Sequence, residues 1–208
     1  MMLRHIFLTF TVLVLATACG DKAFSPGPSA ETPGAETPGA AAGSAGAEEV
    51  AENRNISQEL LDKLKATKDE AEAAMLEEEI WDAWLVSGSA TVDTLMQRGL
   101  EYQENEDLAG ARDAFDKAIA ILPEYAEAWN RRAVLFFNDG KYDEAIADLE
   151  SAITYEPRHF GAWIGMAMLF ESVDRPEAAL KAYDKALEIH PLAQAAVQGK
   201  RRLDRVVN

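Results

Sequence analysis

The sequence predicts an all-α fold, a solenoid of three helix pairs closed by a capping helix and preceded by a helical lead-in. Two observations carry the prediction. From Val92 onward the same residue types return every 34 residues through three ungapped blocks, and from Ser57 to Leu85 the chain is rich in Ala, Glu, Leu and Lys with no Gly or Pro. Composition sets the limits. Hydrophobic residues make up 48% of the 208, enough for a real core, which excludes wholesale disorder. Against 20 basic residues stand 36 acidic ones, a net charge of −16, which excludes a general nucleic-acid binder. One cysteine excludes a disulfide framework or a thiolate metal cage.

Residues 1–18 have the organisation of an export signal: Arg4, then an apolar run from Ile6 to Ala16 that is too short to span a bilayer. Ala16-Thr17-Ala18 is an A-x-A cleavage site. With Cys19 the same residues resemble the lipobox of bacterial lipoproteins, imperfectly, because Ala16 stands where that motif usually has Leu. The resemblance implies lipidation at Cys19 and a membrane-anchored protein of the periplasm. A-x-A cleavage alone implies a soluble periplasmic or secreted form. An unpaired thiol is a liability in an exported protein and a lipidated one is not, which favours the anchor. Residues 19–56 follow as a Pro/Gly/Ala/Ser/Glu tether in which ETPGA occurs twice. As a flexible coil it reaches about 35 Å.

The lead-in occupies 57–88. Ser57 is its N-cap. Leu61 and Leu64 share one helical face, whereas Leu76, Ile80 and Trp84 continue on a shifted one, so a break near 67–70 is as compatible with the pattern as a single helix. Trp81 and Trp84 lie on one face at i, i+3. They read as a seal on the N-terminal end of the repeats, or as an exposed partner-binding patch.

The repeats occupy 92–125, 126–159 and 160–193. Counted within each block, place eight holds Gly99, Ala133 and Ala167, place twenty Ala111, Ala145 and Ala179, and place twenty-seven Ala118, Ala152 and Ala186. Large residues stand at place four (Leu95, Trp129, Trp163), place eleven (Tyr102, Phe136, Phe170) and place twenty-four (Phe115, Leu149, Tyr183), with Pro123, Pro157 and Pro191 at place thirty-two. Small residues let two antiparallel helices approach, large ones fill around them, and the late proline ends the second helix. This pattern resembles the tetratricopeptide repeat. Place seven departs from it, with Arg98, Arg132 and Met166 where the family often has Leu. Residues 194–208 read as the polar-faced capping helix that such a solenoid needs.

The family resemblance also implies where recognition occurs: the first helix of each repeat lines a concave groove through places two, five, nine, twelve and thirteen. Here those places offer Met96, Leu100 and Gln103, then Asn130, Val134, Phe137 and Asn138, then Ile164, Met168 and Glu171. The centre is apolar, which suits a protein or peptide, with the lead-in as a competing occupant. Family members that clamp a terminal carboxylate carry Lys at place five and Asn at place nine of the first repeat, where this chain has Met96 and Leu100. Arg131 and Arg132 are neighbours, point about 100° apart and cannot converge as a substitute.

His159 and His190 stand at ends of second helices, where packing or capping explains them better than ligation, and no HExxH, glycine-rich phosphate loop or nucleophile motif occurs. The sequence therefore reads as a non-catalytic adaptor with no cofactor, metal, nucleic acid or small-molecule substrate. Its partner is a protein or peptide. The alternative is a homo-oligomerisation module acting through residues 57–85, and an enzyme is the weakest reading.

Overall fold

A computed structural model describes residues 56–207, and all regular structure among them is helical. The export signal, Cys19 and the tether lie outside the described residues. Helix α1 covers 56–66 and α2 covers Glu70–Trp84. Between them the chain breaks at 67–69, where the apolar stripe shifts. The break is stabilised locally: the Asp69 carboxylate accepts the amides of Ala71 and Glu72 at 2.8 and 2.9 Å, and the Thr67 hydroxyl donates to Glu72.

Three antiparallel pairs follow: α3 (Ala90–Glu104) with α4 (Leu108–Ile121), α5 (Ala126–Asn138) with α6 (Tyr142–Tyr155), and α7 (Phe160–Ser172) with α8 (Pro176–Ile189). Each second helix also packs on the first helix of the next pair, and the first helices α5 and α7 touch directly. The alanines of places eight, twenty and twenty-seven are buried without exception, at 0–2% exposure. At Gly99 even a methyl group would collide with the Phe115 ring. Place eleven divides: Phe136 is buried, but Tyr102 is 42% exposed because no repeat precedes the first to cover it.

Helix α9 (Gln194–Val207) closes the solenoid against α8 and touches α7. It keeps the repeat's frame as a fourth first helix. Buried alanines recur at place three (Ala128, Ala162, Ala196) and buried leucines at place ten (Leu135, Leu169, Leu203). Its place-seven cation, Lys200, pairs with Asp184 of α8 just as Arg132 pairs with Asp116 of α4. On its outer side the places that would receive a second helix hold Arg201 and Asp204, so the stack ends there.

The fourth-place tryptophans link successive repeats by a second device. Trp129 Nε1 donates to the Pro123 carbonyl at 2.7 Å, and Trp163 Nε1 to that of Pro157 at 3.0 Å. Each bond ties a first helix to the proline that ended the preceding pair.

Candidate functional site

The concave face is divided lengthwise. Toward the C-terminal ends of the first helices, places nine, twelve and thirteen are accessible: Leu100, Val134, Met168, Gln103 and Phe137 are half-buried and Asn138 is exposed. The Phe137 ring lies 5.8 Å from that of Tyr142, which braces it without covering it. Glu171 is already engaged, accepting the Tyr183 hydroxyl at 2.5 Å and the Arg202 guanidinium at 2.8 Å. It forms a fixed wall of the groove.

Toward the N-terminal ends of the same helices the groove is closed by the chain itself. Met96 and Asn130, expected in an open groove, are 1% and 7% exposed. Ile164 packs against a cluster built from Leu60, Leu61, Leu64, Leu76, Ile80 and Trp84 of the lead-in. Place two is closed in every repeat. The Ser87 amide and hydroxyl both bond Asp93 (2.8 and 2.6 Å), Glu127 is buried, and Trp81 fills the space over Gly161.

The tryptophans cap a different repeat from the one their sequence position suggests. Trp84 stacks on His159 at 4.1 Å and tilts against Phe160 at 5.3 Å, while Trp81 meets the same two rings edge-on. They seal the junction of the second and third repeats, not the first. The lead-in meets the rings of His159 and Phe160 on this side of the repeats. One polar tie reaches the first junction, the Tyr125 hydroxyl donating to the Trp84 carbonyl at 2.8 Å. Burial pushes the Tyr125 phenol well above its ordinary range, so it remains a donor.

Beneath the tryptophans lies a closed polar network. His159 Nδ1 accepts the Ala162 amide at 3.1 Å and so caps α7, which fixes Nε2 as the donor to Glu127 at 2.9 Å. Arg131 and Asn130 donate to the same carboxylate. Burial alone would raise the Glu127 carboxyl; the Arg131 charge and the bonds from His159 and Arg131 outweigh it and hold the group below its ordinary value. Arg131 also lies 5.6 Å over the Trp81 ring, whereas Arg132 points away to Asp148 and Asp116, both at 2.7 Å. The two arginines diverge.

A Glu–His pair at 0–1% exposure is out of reach of a substrate, and its chemistry here is capping and charge neutralisation. Among the described residues no group of three or more His, Cys, Asp or Glu is placed to hold a metal ion. Glu127 stands at place two of the second repeat, and nothing in the local sequence pairs it with His159. Thirty-two residues separate the two, and no local pattern relates them.

Family models described as tetratricopeptide repeat match residues 96–153 and 136–203. A TPR repeat-containing protein of Rhizobium etli is 38% identical over 154 residues, spanning 71% of this chain and 76% of that one. The small glutamine-rich tetratricopeptide repeat-containing protein 2 of Saccharomyces cerevisiae is 32% identical over 100 residues, but the match spans only 29% of its length. Among solved structures, the first TPR of Spaghetti bound to an HSP90 peptide aligns with a TM-score of 0.55 at 21% identity, covering 57% of this chain and 94% of that one. The TPR2B domain of yeast Sti1, in a pHsp70 complex, aligns at 0.53 and 26% identity, over 57% and 99%.

Proposed function

The chain belongs to the tetratricopeptide-repeat family, and from that premise we propose that it is a non-catalytic adaptor that binds a protein or peptide in the open half of its concave groove. One observation carries the reading: Leu100, Val134, Phe137 and Met168 are half-buried apolar residues in the half of the face that the lead-in leaves open. Folding of the repeats does not require apolar residues at places nine and twelve, so apolar residues there suit a ligand. Solved neighbours, one bound to an HSP90 peptide and one in a pHsp70 complex, support protein or peptide recognition by this architecture. A terminal-carboxylate ligand is disfavoured because Met96 and Leu100 stand where the carboxylate-clamping members carry Lys and Asn.

The adaptor works in the bacterial envelope, tethered through a lipid on Cys19. The apolar run before Ala16-Thr17-Ala18-Cys19 and the Pro/Gly-rich stretch after it support that setting. Mass spectrometry of the mature N-terminus tests it: a diacylglyceryl-modified Cys19 is expected, and an unmodified one argues for a soluble form. Crosslinking capture from an envelope fraction tests the groove. Phe137→Ala, confirmed as folded by circular dichroism, should weaken capture by about 1 kcal/mol or more, as truncating an aromatic hot spot does. Capture equal to the parent's would remove the open half as the binding surface.

A further inference from the structure

We propose that the lead-in is a displaceable stand-in for the partner. The partner is then a helical segment with an aromatic pair three residues apart and an acidic flank, and it docks by lifting α2 off the second and third repeats. This rests on the groove being the binding surface and adds what that surface selects. In the third repeat the covered places are filled as a helix-in-groove ligand would fill them, by anchors on one face, Ile80, Trp81 and Trp84, and Trp84 also stacks on His159 at the end of the second. The slot for Trp81 exists because place two of the third repeat is Gly161; any side chain there would meet the ring.

The seam is built to be left. Among the described residues no backbone–backbone hydrogen bond joins the lead-in to the repeats, and the ties are side-chain ones. Two buried polar atoms in it, Trp84 Nε1 and His190 Nδ1, have no hydrogen-bond partner. Buried polar atoms are nearly always satisfied, so this contact is incompletely satisfied. The link to α3 runs through Ser87-Gly88-Ser89, with Gly88 at φ 78°, a conformation glycine adopts freely. Charge marks the flank: α2 carries six acidic residues and no basic one, its Glu77 meets His190 of the third repeat, and Arg131 lies over the Trp81 ring, while Arg158 pairs with Asp62 of α1.

A labelled synthetic peptide of residues 70–84 tests this directly by fluorescence anisotropy. The full chain carrying Trp81→Ala and Trp84→Ala, whose own lead-in is loosened, should bind the peptide. The parent should bind it about tenfold more weakly or less, because its competent state is rarely populated. Gly161→Leu, which closes the Trp81 slot, should bind none although its lead-in is freed. A folded double variant that fails to bind, or a parent that binds equally well, would overturn the proposal. Should the double variant not fold, hydrogen exchange on the parent decides. Amides of α2 opening well before those of α5 and α8 support displacement, and exchange only through global unfolding refutes it. Either failure leaves capture through Phe137 intact, since place twelve lies outside the covered half.

Discussion

Place fifteen takes the left-handed backbone in all three repeats, at Glu106 (φ 61°), Gly140 (71°) and Asp174 (56°). Each ends a first helix in the same way: the amides of Glu106 and Asp107, for example, return to the carbonyls of Gln103 and Tyr102 at 3.1 and 2.9 Å. Only the second repeat has the residue that adopts this conformation without penalty. Gly140→Ala should therefore destabilise by about 1 kcal/mol, although nothing lies within 4 Å of the new methyl, and Glu106→Gly should stabilise by about 0.5 kcal/mol. Denaturant midpoints of the pair must move in opposite directions. Glu127 is the other residue on which much depends. Glu127→Ala strands a histidine and an arginine, and should cost about 3 kcal/mol, the low end for a broken buried pair because Arg131 is 28% exposed. Its carboxyl titrates below the ordinary 4.5 when folded, so its contribution is complete above that value and is lost as pH falls through the lower folded one. Thermal midpoints measured from pH 7 downward should fall less steeply for Glu127→Gln than for the parent.

Helices were the most legible level of this molecule. Spacing alone located the three pairs, because each alanine of places eight, twenty and twenty-seven must sit where two helix axes approach, and a single-residue slip would bury charge instead. Ala145 illustrates the constraint: it is fully buried between α5 and α6, and Ala145→Leu should cost at least the roughly 1–3 kcal/mol of an overpacked core, read from its denaturation midpoint. The break between α1 and α2 was written in the shift from the Leu61/Leu64 face to that of Leu76, Ile80 and Trp84. The destination of α2 was not. An i, i+3 tryptophan pair states that one face must be buried, but which repeat receives it depends on Gly161 leaving room and on His159 and Phe160 presenting rings there. Those residues are far apart in the chain from the tryptophans they meet. The groove places came from the family resemblance; places nine and twelve are accessible in the structure, whereas the closure of places two and five is a tertiary event that no local pattern carries.

At the scale of the whole chain, the lead-in decides whether the molecule stands alone. Phe160 and Ile189 are 1% and 9% exposed because α1 and α2 lie over them, with Ile164 and Leu192 at the margin of the same cluster. The cover comes from the molecule's own chain, so its apolar face is satisfied without a second copy. An oligomerisation module acting through residues 57–85 requires the reverse, a lead-in that reaches a neighbour. The two arrangements give opposite signs on deletion. If the lead-in closes its own repeats, the unlipidated Cys19→Ser chain sediments as a monomer, and removing 57–85 from it uncovers Phe160, Ile164, Ile189 and Leu192 as one contiguous patch that drives association with rising concentration. If it joins copies, the parent is the dimer and the deletion dissociates it. We expect the first pattern. Sedimentation equilibrium over a hundredfold concentration range separates them, and Phe160→Ser in the deleted chain should reverse the association, because it removes the residue at the centre of the exposed cluster. A parent that dimerises and a deletion that does not would transfer the lead-in from cover to connector.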